Sequence, residues 1–210
     1  MTMGVAERRE RERQARKETL LQAARAVLLE KGVRGTTTKE IAERCELSEA
    51  TLFFYFKNKD EILLSLIFES IDFWAKGLDA LSEQSHSREQ MLDEIWRFHE
   101  RVYREHPDYY VISTYLAQPH VLENVSKDVK EEIARLSGQN FQRLSKLLAR
   151  DADAASGRVM ADAIWAAFLG LTIMNAARKN LGHTEASQGR PSRAKVFETL
   201  KAGLLRRGSR

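Results

Sequence analysis

Thr37-Thr38-Lys39-Glu40-Ile41-Ala42-Glu43-Arg44-Cys45-Glu46-Leu47-Ser48-Glu49-Ala50-Thr51-Leu52-Phe53-Phe54-Tyr55-Phe56 is the stretch whose reading decides the fold. Thr37 stands three residues before Glu40, the spacing of a capping box, in which hydroxyl and carboxylate each satisfy an orphan backbone amide of the other residue. The helix opened there lasts about two turns, because Cys45-Glu46-Leu47 leads into Ser48, a second N-cap. A third short helix follows over about 49–55. Leu52 and either Phe53 or Phe56 anchor it inward, and Glu49, Ala50, Thr51, Phe54 and Tyr55 face outward. Two short capped helices joined by a turn of about three residues form a helix-turn-helix frame. Its second helix must protrude to enter a major groove about 12 Å wide. A helical hairpin with every aromatic in the core fits the same pattern.

Working outward, the spacing predicts a long helix from about residue 7 to Lys31, with Leu20, Leu21, Ala24, Val27 and Leu28 as its apolar stripe and Gly32 as its C′ stop. On the other side Asn58 caps a helix over about 59–83, with Glu61 at N3 and an apolar face from Ile62 to Trp74. Further helices are expected at about 88–106, 108–117, 126–152, 157–181 and 192–207. They are divided by Pro107, Pro119, the break Ala154-Ala155-Ser156-Gly157 and the polar loop 182–191. Almost nothing alternates over strand length, so the expected fold is all-α with nine helices. Two domains fit the length: a helix-turn-helix domain at 1–58 with a basic N-terminal arm, and a helical effector-binding and dimerisation domain at 59–210.

The charge is uneven. Of 34 basic and 30 acidic residues, 13 and 9 lie in residues 1–59, so the whole net charge of +4 sits in the first quarter. A polyanionic partner suits that end, since Lys and Arg release counterions from phosphates. The interleaved Arg8, Arg9, Arg11, Arg13, Arg16, Lys17 and Glu7, Glu10, Glu12, Glu18 also fit a solvated helix with i,i+4 ion pairs. A single cysteine, Cys45, excludes an internal disulfide. No basic-then-apolar leader is evident, and a cytoplasmic protein is expected. The uncharged run Ala163–Ala177 falls short of the roughly 20 residues that span a bilayer, so no membrane partner is expected. There is no Gly-rich phosphate loop, Ser/His/Asp arrangement or carboxylate pair, which argues against an enzyme; neither cofactor nor metal is expected.

The residues Ala23-Ala24, Gly32, Thr37-Thr38-Lys39-Glu40-Ile41-Ala42, Leu47-Ser48, Thr51-Leu52, Phe56, Lys59 and Leu63 strongly resemble the TetR family of bacterial regulators, over about 16–63 and without insertion. The resemblance implies a dimeric transcriptional regulator, most commonly a repressor, that binds a double-stranded, pseudo-palindromic operator and answers to a small molecule. It places Thr38 and Lys39 near the DNA backbone and a base edge, Ser48 at the start of the recognition helix, Glu49, Ala50 and Thr51 on bases, and Tyr55 and Lys59 on phosphates. Phe54 joins them as an outward aromatic. Two positions depart from the family. Phe53 replaces the usual tyrosine, whose hydroxyl reaches the backbone, and Cys45-Glu46 replaces an alanine-glycine pair, which strains Glu46 if φ is positive. Glu49 has two readings: acceptance from cytosine N4, or stabilisation of a helix N-terminus.

In the remainder, Ala163, Ala167, Gly170 and Met174 form a small-residue stripe. With Leu200 and Leu204 they make the expected four-helix homodimer interface; burial within a monomer is the other reading. Trp74, Trp96, His99, Tyr103, Tyr115, Phe141 and Asn175 are the candidate contacts for a hydrophobic or aromatic effector. His99 and His106 share an apolar stripe, read first as core histidines, then as pocket donors, and last as metal ligands. The rival functions are an all-helical enzyme or scaffold with an incidental basic arm, and an adaptor binding protein through 126–152.

Overall fold

The computed structural model describes residues 4–116, 125–149, 154–182 and 193–206. Its described residues form nine helices and no strand: α1 Val5–Gly35, α2 Thr38–Arg44, α3 Glu49–Phe53, α4 Lys59–Ser82, α5 Arg88–Glu105, α6 Pro107–Leu116, α7 Lys127–Ala149, α8 Ala154–Asn180 and α9 Arg193–Arg206. The all-α expectation holds for the described residues. Pro119 and the loop 183–191 lie outside the described residues.

Two compact units divide the chain. One comprises Met1–Ser70 with Pro107–Lys130, the other Ile71–His106 with Glu131–Arg210. The expected boundary falls after Asn58; by packing, the first turns of α4 and the whole of α6 go with the N-terminal helices. The reason is visible in the first core, where Leu20, Ala24 and Val27 of α1, Ile41 of α2, Leu52, Phe56, Ile62 and Leu66 are buried, as are Tyr109, Tyr110 and Ile112 of α6. Between them runs an ionic link. Arg25 of α1 pairs with Glu69 of α4 and lies 3.3 Å from the buried Asp108 of α6. Three helices of one unit are thereby tied by a single guanidinium, whose planar fork suits several carboxylates at once.

Gly32 interrupts α1 at φ 65°, ψ −178°, and its carbonyl accepts from the Thr36 amide. That left-handed φ is why a glycine stands at the expected stop. Gly157 corrects the expected break: it lies inside α8, where a Cβ would sit 2.5 Å from the Ser145 carbonyl oxygen and 2.7 Å from Ala149 Cβ. The glycine permits close approach of two helices rather than ending one. Ser87 and Gln90 form a reciprocal capping box on α5, a signal present in the sequence and passed over above.

The second unit is centred on aromatics. Trp74 meets Phe98 edge-on at 4.8 Å and Trp165 at 5.4 Å, while Trp96 stacks on Phe197 at 4.6 Å and meets Phe168 at 4.9 Å. Such offset and edge geometries follow the ring quadrupoles. α8 supplies Ile164 and Phe168 to this core yet leaves Ile173 and Met174 47% and 49% exposed. Within Ala155–Asn180 an 18-residue window reaches a mean hydropathy of 1.5, so by length and composition alone this helix could cross a membrane, and the expectation of a run too short for a bilayer applies only to its uncharged middle. Only 28% of that window is buried within the chain.

Candidate nucleic-acid interface

The frame predicted around residues 37–56 forms through its caps. The Thr37 hydroxyl accepts from the Glu40 amide at 3.1 Å, and the Ser48 hydroxyl accepts from the Thr51 amide at 3.2 Å. One half of the expected capping box does not form, because the Glu40 carboxylate accepts from Lys31 Nζ at 2.5 Å. An ammonium at the end of α1 offers that carboxylate more than a neutral amide does. The turn closes with Leu47 donating to the Ala42 carbonyl at 2.9 Å, and Glu46 takes the left-handed conformation at φ 54°. The strain expected for a residue in place of glycine is therefore present.

α3 buries Leu52 and, just past its end, Phe56. Its other side is bare: Ala50 is exposed, Phe53 is 49% and Phe54 73% exposed, and Tyr55 lies edge-on to Phe54 at 5.5 Å. Of the two alternative inward anchors, Phe56 is the one used; Phe53 joins the outward face, a residue the sequence reading left out of the site. Glu49 is only partly exposed, and its carboxylate accepts from the Thr38 hydroxyl at 2.7 Å, so α2 holds the first side chain of α3. The Ser48 and Thr51 hydroxyls lie 2.9 Å apart. Lys39 is exposed beside Glu43 at 3.8 Å.

α4 starts as predicted, with the Asn58 side chain accepting from the Glu61 amide at 2.9 Å. Lys59 is less free than expected. Its ammonium donates to the Val33 carbonyl at 2.7 Å and is half-buried, and that burial holds its pKa below the usual lysine range despite Asp60 nearby. An ammonium keeps two further donors, so the bond to Val33 orients Lys59 without consuming it. Burial raises the pKa of Cys45, whose thiol reaches the Thr19 carbonyl at 3.7 Å and so fastens the turn to α1.

The family model described as bacterial regulatory proteins, tetR family, matches residues 20–66. Over residues 20–66 the chain is similar to the TetR family. Within this TetR-type unit the chain is 52% identical over 48 residues to the uncharacterized HTH-type transcriptional regulator YvkB of Bacillus subtilis, covering 23% of this chain and 25% of that protein. It is 30% identical over 86 residues to the HTH-type transcriptional regulator RutR of Escherichia coli, covering 40% and 41%. The matched segments thus span a quarter to two fifths of these relatives' lengths. Beyond the TetR-type unit the likeness is one of fold. The chain shares 15% identity with a crystal structure of AibR in complex with isovaleryl coenzyme A and operator DNA, at a TM-score of 0.65 over 90% of this chain and 97% of that one.

Of the seven expected effector contacts, Trp74, Trp96, His99, Tyr103 and Phe141 lie in the second unit's aromatic cluster, in contact with one another through Phe168 and Trp165. His99 is fully buried, and desolvation pushes its pKa to about 3, so the imidazole is neutral. That is the core-histidine reading. Among the described residues no group of three or more His, Cys, Asp and Glu is placed to hold a metal. Asn175 accepts from Arg178 at 3.3 Å on α8, and Tyr115 lies in the first unit, so neither is shown with the other five. Arg193, absent from the expected set, lies 3.8 Å over the Tyr103 ring. The described cavity is a different one, an open groove lined by Leu78, Asp79 and Ser82 of α4 and by Gln139, Arg143 and Lys146 of α7. It contains none of the seven.

The expected dimer residues are divided. Leu204 is buried and Leu200 half-buried on α9, while Ala163, Ala167 and Gly170 are half-buried and Met174 is exposed on α8. A Cβ at Gly170 would meet nothing within 4 Å.

Proposed function

We propose that this chain is a TetR-type transcriptional repressor that binds a pseudo-palindromic DNA operator as a homodimer and releases it on binding a hydrophobic or aromatic small molecule. The observation that carries the DNA reading is the α3 face, where Ala50, Phe53 and Phe54 are exposed and Glu49 and Thr51 partly exposed, on a frame held by the Thr37 and Ser48 caps and the buried Leu52 and Phe56. Ala50 and the two phenylalanines suit thymine methyl groups, and Glu49 suits the cytosine amino group, the acceptor and apolar halves of major-groove readout. Thr38, Lys39, Ser48, Thr51, Tyr55 and Lys59 complete the contact set around them. Residues 1–58 read the operator in this proposal, and residues 59–210 bind effector and dimerise, in the cytoplasm.

Homodimerisation is supported by the bare stripe on α8. Val159, Ala166, Ile173, Met174 and Ala177 are exposed at helical spacing around Ala163, Ala167 and Gly170, and a second copy of α8 and α9 would cover them. Effector release is supported by the aromatic cluster and by the likeness to AibR, which binds an acyl thioester and an operator. α4 runs unbroken from Lys59 to Ser82, so an effector favouring a tilt of that helix would alter the spacing of the two recognition helices.

The test is binding of fluorescent random duplex at low salt, followed by selection from a random pool. Micromolar non-specific affinity and a selected inverted repeat are the expected results. Lys59→Ala should weaken all sequences alike and reduce the salt slope by about one, whereas Thr51→Ala should change the selected sequence. A chain that binds no duplex at 50 mM salt would leave the scaffold reading in its place.

A further inference from the structure

α1 is far longer than its packing requires. It is helical from Val5, yet its first buried residue is Leu20, and every side chain from Val5 to Thr19 is exposed apart from the half-buried Lys17. About four turns therefore overhang the unit, and the cations on them are not scattered. At 100° per residue, Arg9, Arg13, Arg16 and Lys17 fall within about 100° of arc. That arc is the one that, farther along, carries the buried Leu20, Ala24 and Val27. Glu7, Glu10 and Glu18 lie on one flank. Arg8 and Arg11 lie on the back, and Glu12, on the other flank one turn before Arg16, turns its carboxylate to Arg8 at 2.8 Å. Among the described residues Arg9, Arg13 and Arg16 form no ion pair. Because Glu12 pairs with Arg8, the face of Arg9, Arg13, Arg16 and Lys17 is left positive between two acidic flanks.

The place where this face leaves the unit is equally specific. Lys17 Nζ lies 5.2 Å over the ring of Phe56, which closes the recognition segment, and the Thr19 carbonyl accepts from Cys45 in the turn between α2 and α3. Arg16 is close enough to that turn to act on the Cys45 thiol electrostatically. The basic stripe thus leaves the unit beside the turn and the inward anchor that set the position of α3.

We propose that the overhanging half of α1 is a helical clamp that lays Arg9, Arg13, Arg16 and Lys17 along the phosphate backbone of duplex DNA outside the bases read by α3. From Leu20 back to Arg9 the helix reaches about 16 Å, the axial length of about five base pairs. The clamp carries no sequence information. It lengthens the bound site and steepens the salt dependence. This inference rests on the DNA-binding reading above.

The experiment crosses a protein change with a DNA change. Wild type, R9A/R13A/R16A and R9K/R13K/R16K are titrated against the site selected by the wild type, once with eight base pairs of flanking duplex at each end and once with none. On the flanked duplex the alanine variant should bind at least about ten-fold more weakly at 50 mM salt, with a salt slope shallower by about 2.7 per chain. The lysine variant should keep the slope. On the trimmed duplex the wild type should fall to within about two-fold of the alanine variant, and both should select the same sequence. All three positions are exposed, so circular dichroism and melting should be unchanged. An alanine penalty of the same size on both duplexes overturns the clamp while leaving DNA binding by α3 intact, as does an unchanged salt slope. Binding of the stripe to phosphatidylglycerol vesicles, with no effect of the substitutions on DNA, overturns it in favour of a lipid surface. No duplex binding by wild type overturns both readings together.

Discussion

The end of α3 and the middle of α8 both leave large apolar side chains in water, Phe53 and Phe54 on the one, Ile173 and Met174 on the other. Their settings differ. In the segments flanking α3 stand the cations Lys39, Lys57 and Lys59, and the helix is five residues long with Glu49 in its first turn. Around the α8 patch there is no charge from Ala163 to Ala177, and Ala163, Ala166, Ala167, Gly170 and Ala177 are among the residues of that run. An apolar face set among charged and polar residues suits a partner whose phosphates surround apolar base edges, whereas an uncharged, small-residue face suits another helix. Exposure alone distinguishes neither; the electrostatic frame does.

The largest effect should come from charging the α8 face. Ile173→Asp with Met174→Asp places two carboxylates where a second α8 is proposed, and both sites are exposed within the chain, so folding should survive. Sedimentation should shift from dimer to monomer, and operator affinity should fall to the non-specific level, about 10³-fold or more weaker. A variant that stays dimeric would move the interface elsewhere. The same substitution on the other patch, Phe54→Asp, should abolish operator binding and leave sedimentation unchanged.

Next in size is the acid response of the aromatic unit, which the polar α3 surface should not share. His99 has its folded pKa lowered to about 3, against 6.5 when exposed. Between those values the unfolded chain binds a proton that the folded chain refuses, so this stability is fully present above pH 6.5 and is lost as the pH falls towards 3. Urea unfolding should weaken by about 1.4 kcal/mol per pH unit in that window, and His99→Phe should flatten the dependence. An unaltered pH profile in His99→Phe would show that other groups govern acid unfolding.

Glu49→Gln should leave overall affinity within a few-fold but exchange the preferred base at one position of each half-site from cytosine to adenine, a discrimination of about 1–3 kcal/mol. Because the Thr38 hydroxyl can still donate to the amide oxygen, the side chain stays aimed. Selection from a random pool reads the change, and an unaltered motif would assign Glu49 to the helix N-terminus. The smallest effect is a gain: Phe53→Tyr should restore the hydroxyl usual in the family at an exposed position and strengthen binding to all sequences by about 1 kcal/mol. Equal affinity of the two proteins in anisotropy titrations would place residue 53 away from the backbone.

The sequence by itself determined the local geometry of the DNA-facing unit. Thr37, Ser48 and Asn58 are caps, Gly32 is a left-handed stop, and Leu52 is an inward anchor, each through contacts within a few residues, which is why their spacing could be read directly. It also exposed the strained Glu46, because a turn that favours glycine is recognisable without a structure. What only the tertiary structure decided are matters of long-range competition. Glu40 gives its carboxylate to Lys31 rather than to its own cap, Lys59 spends one donor on Val33, and Phe53 turns outward because Leu52 and Phe56 fill the space beneath. Gly157 serves the approach of α7 and α8 and does not end a helix. In each case the residue has two satisfactory partners at similar local cost, and which one it takes depends on side chains that the chain brings near only after it has folded.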